Sequence, residues 1–244
     1  FASSVMTLPM LVDTPTPLWH AVGESWRAVG SHPVVMGVWA VCIVALVALL
    51  IGVILVLQTG YLLEKYGQIR QVSGLVAVSM TRELGPLMTA IVLVGRVGAA
   101  FTAGLGTMTI SEEVLALRTL SIDPVGYLVA PRFIAIVVML PCLTVFANVV
   151  GIAGGCLMAT AYDLDPWAYV SDSLAFLTLQ DLFSGVVKSV LFAAVICTVS
   201  CHMAFRVEGG PEGVARNTMV SVVCSLVLVI LVDGLVTAFL RGVS

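Results

Sequence analysis

Five apolar stretches, separated by shorter polar segments, set the pattern of this chain. Residues 34–57 form the first and carry no charge. At about 1.5 Å of rise per residue, a helix of that length crosses the roughly 30 Å hydrocarbon core of a bilayer. Residues 58–73 are more polar, with Glu64, Lys65 and Arg70, and read as a connector. Residues 74–105 are apolar again but exceed one straight span, and they are interrupted by Arg82-Glu83 and Arg96. Pro86 lacks a backbone donor, which predicts a break there and a second span over 86–105. The polar centre follows at 106–132, where 110–120 can form a short helix that stops at Ile122-Asp123-Pro124. A third span covers 133–160 with Pro141 as a kink, and a fourth and fifth cover 185–205 and 219–240. Between the third and fourth, 162–181 is a loop or short helix carrying Asp163, Asp165, Asp172 and Asp181.

Ahead of these spans, residues 1–33 place Leu18, Val22, Trp26 and Val29 at helical spacing, with Glu24 and Arg27 off the stripe. Such a segment fits a helix lying in the membrane interface, or equally an ordinary loop helix. The expected fold is all-α: a polytopic integral membrane protein with about five transmembrane helices, an N-terminal interfacial segment over 1–33 and a transmembrane domain over 34–244. The chain begins at Phe1, so a preceding start is expected, and no charged, apolar and small-residue succession marks a signal peptide.

Composition agrees with this reading. Of the 244 residues, 60% are hydrophobic and 10% charged, whereas a soluble domain carries about 25% charged residues. A soluble fold this apolar would expose large sticky patches. The net charge of -3 and the absence of a basic run set nucleic-acid binding aside. The six cysteines lie in apolar stretches without metal-ligand spacing. Cys197 and Cys201 stand one turn apart before His202, but small apolar packing residues explain them without a metal.

Basic loops stay cytoplasmic. Arg118 and Arg132 mark one such loop, Arg206 and Arg216 another, while 162–181 has four acids and no Lys or Arg. The N-terminus is then cytoplasmic and the acidic loop external, with the Lys65/Arg70 connector outside against the rule. Ionisable groups at membrane depth point to function by default. Arg82, Glu83, Arg96, Lys188 and Asp233 qualify. Adjacent Arg82 and Glu83 point about 100° apart on a helix, so they call for a polar cavity between helices, with an acid balancing Arg82 or Lys188. A structural ion pair or snorkelling is the plainer alternative, easiest for Lys188 near the outer end of its span. Asp233 lies well inside the fifth span, and Arg96, between Gly95 and Gly98, reads as internal to the bundle. With no phosphate loop, catalytic triad or metal motif in the sequence, a transporter or channel is the natural class.

Several ordered strings resemble the MlaE/YrbE family of ABC-transporter permeases. They are Arg82-Glu83-Leu84-Gly85-Pro86, Gly95-Arg96-Val97-Gly98-Ala99-Ala100, Gly106-Thr107-Met108, Ser111-Glu112-Glu113-Val114-Leu115-Ala116-Leu117, Ile122-Asp123-Pro124, Pro131-Arg132, Lys188-Ser189-Val190, Gly209-Gly210, Glu212-Gly213-Val214 and Val232-Asp233. Together they run in order over about residues 50–240. The chain departs from the family where Gly104 replaces a common glutamate and where Glu112-Glu113 replaces Glu-Gln.

The resemblance implies a homodimer in a bacterial inner membrane that moves phospholipid and contributes to outer-membrane lipid asymmetry. Its implied partners are two cytoplasmic ABC ATPase subunits, a hexameric MCE-domain lipid-binding protein outside and, in many systems, a STAS-domain protein. The chain would bind no cofactor and catalyse nothing, with ATP and Mg held by the ATPase. The short helix over 110–120, with Glu112, Glu113, Val114, Leu115 and Leu117, matches the family's coupling helix. Arg82, Glu83 and Lys188 match charged groups of its outward lipid cavity, and Leu55, Leu62, Leu63 and Tyr66 fall where that cavity has an apolar lining. Two other classes compete: a scaffold that tethers ATPase and shuttle protein, and an ion-coupled transporter working through Asp233 and Glu83. The second should carry an internal repeat, which the sequence lacks.

Overall fold

The computed structural model describes residues 33–162 and 164–243, which are helical with short connections and, among the described residues, no strand. The interfacial segment expected before residue 33, and Asp163, lie outside the described residues. In chain order the helices are α1 (Pro33–Lys65), α2 (Gln71–Ser79), α3 (Gly85–Leu93), α4 (Ala99–Ile110), α5 (Glu113–Thr119), α6 (Ala130–Ala159), α7 (Pro166–Phe176), α8 (Leu179–Phe205) and α9 (Gly210–Val243). Five helical stretches are long and apolar enough to cross a membrane: Ala40–Lys65, Gln71–Ile110, Val125–Tyr162, Leu179–Phe205 and Gly210–Phe239.

The stretches outrun the expected spans. Hydropathy marks only the part that sits in hydrocarbon, whereas the helices continue past it wherever backbone hydrogen bonding is favourable. The largest difference is the second. No break occurs at Pro86; α2, α3 and α4 form one continuous 40-residue helix. Two π-helical turns, Met80–Leu84 and Val94–Gly98, join the pieces. The first explains how the proline is tolerated. Gly85 N–H bonds back to Met80 O, five residues away, and this wider turn accommodates the ring and its missing donor. A similar π-helical turn, Val125–Val129, leads into α6.

Small residues set the central packing. A Cβ on Gly52 of α1 would strike the carbonyl oxygen of Gly151 on α6, and one on Gly154 would strike that of Leu49. Backbones this close suit a membrane interior, where helix association depends on van der Waals contact rather than on escape from water. The main core gathers Leu93, Leu105, Leu140, Phe192 and Ile196 from α3, α4, α6 and α8. A second cluster, with Val56, Val72, Met80 and Tyr169, seals the end that bears the acidic loop. Cys197 and Cys201 are buried in the main core with Sγ atoms 3.9 Å apart, and His202 faces outward.

Gly52→Ala is expected to destabilise the protein by about 1–3 kcal/mol, because the added methyl meets backbone that cannot step aside. Gly95→Ala, with nothing within 4 Å of its Cβ position, is the control and should leave the thermal unfolding midpoint in detergent unchanged.

Candidate functional site

Three helical segments converge on a cluster of ionised side chains. The π-helical turn Met80–Leu84 supplies Arg82 and Glu83, α8 supplies Asp181 and Lys188, and α9 supplies Asp233 and Thr237. Lys188 is at the centre and its side chain is fully buried, at 0% exposure. Its ammonium donates to Glu83 Oε2 and, at 2.7 Å, to Thr237 Oγ1. Asp233 Oδ1 lies 2.9 Å from Nζ but off the line of a hydrogen bond, so that contact is coulombic. Thr237 also reaches both Glu83 oxygens at 3.3 Å. Burying a lone ammonium costs several kcal/mol; two carboxylates and a hydroxyl offset that cost here.

A looser pair stands beside it. Arg82 Nη1 is 3.8 Å from Asp181 Oδ1, with the two side chains 36% and 12% exposed. Asp181 has a second task at the start of α8. Thr178 N–H donates to Asp181 Oδ2 at 3.2 Å and Asp181 N–H donates back to Thr178 Oγ1 at 3.3 Å, a reciprocal capping box, and the Thr178 hydroxyl adds a bond to Asp181 Oδ2 at 2.6 Å. Gly185 lets this arrangement close, since a Cβ there would meet the Thr81 carbonyl oxygen.

Sequence reasoning named Arg82, Glu83, Lys188 and Asp233, and the structure brings all four together. Lys188 does not snorkel; its helix begins at Leu179, which sets it more than two turns inside. Asp181 and Thr237 were missed as members. Each left a signal: Thr178-Leu179-Gln180-Asp181 is a capping-box string, and Thr237 is one turn beyond Asp233. Arg96 differs from expectation. Val94 and Gly98 face the core, and Gly98 packs toward Ser200 and Ile196, so Arg96 is turned to the exposed side of the protomer.

The apolar residues expected beside the cluster lie toward the end of α1 and, for Tyr66, just past it. Leu55 and Leu63 are half-buried against the second cluster, whereas Leu62 and Tyr66 are exposed. At the opposite end, α5 is bracketed by Glu112 and Ser121, both at positive φ, of 59° and 60°. Its helix starts at Glu113 rather than at residue 110, because Ile110 still belongs to α4 and Glu112 makes the corner. Val114 is buried and Leu117 half-buried, anchoring α5, while Glu112, Glu113, Leu115, Arg118 and Leu120 are exposed. Exposed leucines flanked by charges suit a surface made to be covered by another protein.

Five spanning helices, a cluster of paired charges toward one end and a short amphipathic helix projecting at the other define a multi-pass membrane protein of the transport class. The chain belongs to the Permease MlaE family, whose model matches residues 30–239. It is similar to a probable ABC transporter permease protein of Rickettsia typhi, 35% identical over 84% of this chain and 80% of the relative. The intermembrane phospholipid transport system permease protein MlaE of Haemophilus influenzae is 32% identical over 85% and 80% of the two chains. The chloroplastic protein TRIGALACTOSYLDIACYLGLYCEROL 1 of Arabidopsis thaliana is 38% identical over 72% of this chain and 50% of the relative. The chain is an ABC-transporter permease of the MlaE family.

Lys188→Met strands Glu83 and Asp233 without their cation and is expected to cost about 3–5 kcal/mol, read from thermal or denaturant unfolding in detergent. Adding Glu83→Gln and Asp233→Asn should recover most of that loss, since the triple variant buries no unpaired charge.

Proposed function

We propose that this chain is the membrane subunit of a phospholipid transporter of the inner membrane, working as a homodimer with its N-terminus in the cytoplasm. Lipid passes between the bilayer and an MCE-domain shuttle protein outside, with a role in outer-membrane lipid asymmetry. ATP and Mg are held by separate cytoplasmic ATPase subunits, and a STAS-domain protein joins the assembly in systems that have one. The chain itself catalyses no reaction.

One observation carries this reading: the polar material divides between the two ends of a single bundle. The charge cluster lies by the acidic loop, beside the apolar end of α1. Helix α5 lies in the basic loop, with Glu112, Glu113 and Leu115 exposed for an ATPase groove and Val114 and Leu117 holding it to the bundle. Basic loops stay cytoplasmic, so the two ends face opposite compartments. The name of the Haemophilus relative supports phospholipid as cargo. Leu55, Leu62, Leu63 and Tyr66 offer acyl chains an apolar wall, with Arg82, Glu83 and Lys188 at the head-group level. Asp233 holds Lys188 in place, and the exposed Arg96 faces whatever covers that side of the protomer.

The test is lipid transfer by the reconstituted complex. Arg82→Glu should reduce transfer at least tenfold while leaving the assembly intact; undiminished transfer would remove the head-group role. Glu113→Arg with Leu115→Asp should uncouple the partner, lowering both co-purification of the ATPase and lipid-stimulated ATP hydrolysis. Unchanged hydrolysis would instead show that α5 is not the coupling element.

A further inference from the structure

Lys188 is closed to any ligand, since its side chain is fully buried and its ammonium is held by Glu83, Thr237 and Asp233. Arg82 is different. It is 36% exposed and only loosely engaged, at 3.8 Å from Asp181, near the outer limit of an ion pair. Asp181 also keeps its capping bonds to Thr178 whether or not Arg82 stays beside it. Arg82 is therefore the cation of this cluster that is able to turn to a phosphate. Its chain neighbour Glu83 is 34% exposed, with Lys188 on its inner side.

The charges joined by these contacts do not cancel. Two cations, Arg82 and Lys188, face three carboxylates, Glu83, Asp181 and Asp233, which leaves one net negative charge. A head group with its own net negative charge gains Arg82 but meets that excess at short range in a weakly screening environment. A phosphate that carries an ammonium brings no net charge, and its cation finds an acid to face.

We propose that this cluster selects a zwitterionic, phosphoethanolamine-type head group over an anionic one, its phosphate taking the place of Asp181 on Arg82 and its ammonium lying against the open side of Glu83. This rests on the lipid-permease reading above. Asp181 is then a specificity residue: it holds Arg82 before lipid arrives and supplies the charge that repels an anionic competitor. Lys188 contributes by fixing Glu83 rather than by binding phosphate.

The experiment measures thermal stabilisation of the full chain in detergent by phosphatidylethanolamine and by phosphatidylglycerol with matched acyl chains. Phosphatidylethanolamine should reach half-saturation at a concentration lower by on the order of tenfold. Asp181→Asn keeps an acceptor for Thr178 but makes the cluster neutral, so it should bring the two lipids near parity by improving binding of phosphatidylglycerol. Arg82→Gln should weaken both. Equal binding by the unaltered chain, or an unchanged ratio in Asp181→Asn, overturns the selectivity and leaves the permease reading standing. If neither lipid stabilises the protein, the selectivity and the lipid-permease reading both fall.

Discussion

A buried ammonium is the constraint around which this bundle is arranged. Lys188 cannot stay charged inside α8 unless anions are delivered to it, and they arrive from two other elements: Glu83 from the π-helical turn before α3 and Asp233 from α9. Desolvation of a buried ion pair can cancel what the attraction returns, so the cluster is poor evidence for stability in itself. What it supplies is register. A slide of one helix turn in α9 would withdraw Asp233 and Thr237 together, leaving Lys188 with a single partner. An apolar bundle in lipid has many near-equivalent packings, and a cluster satisfied in only one of them singles that one out.

The same cluster accounts for the unusual backbone near it. Arg82 and Glu83 are adjacent, and an ordinary helix would send them about 100° apart without regard to their partners. The turn Met80–Leu84 is π-helical, which admits Pro86 and sets both side chains at the edge of the core, about one-third exposed. Thr81, on the same turn, is buried against Gly185 of α8. Close backbone contact on one side and half-open charges on the other are thus produced by a single irregular turn. π-Helical turns gather at functional sites for this kind of reason.

The five spans were legible because hydropathy over twenty residues is a strong signal, and the charges at membrane depth were legible because they are so costly there. Their pairing was not. A linear sequence shows that Arg82, Glu83, Lys188 and Asp233 are out of place, but which acid meets which base depends on helix rotation and depth. Asp181 looked like one more acid of an external loop until its cap brought it to Arg82. Pro86 misled for a physical reason too: a break and a π-helical turn are two solutions to the same missing donor, and the sequence does not choose between them. Arg96 went astray because neighbouring glycines fit a packed face, yet it is Val94 and Gly98 that turn inward.

One continuous helix, Gln71–Ile110, carries both functional ends of the protein. Its Arg82 and Glu83 belong to the ion cluster, and at its other end Ser111 and Glu112 form the tight corner that presents α5. Forty residues of helix extend about 60 Å, twice the hydrocarbon thickness, so this element joins the two aqueous faces directly. Glu112 at positive φ leaves little slack in the corner, and Val114 ties α5 back to the bundle. On the proposed reading, work done on α5 by an ATPase needs no long relay to reach the lipid site. A tilt or rotation of the one helix that bears both would move Glu83 against Lys188 and Arg82 against Asp181. The buried pair resists such a motion and the loose pair yields to it. The cluster therefore contains a fixed point and a movable arm, and the movable arm is the one open to solvent.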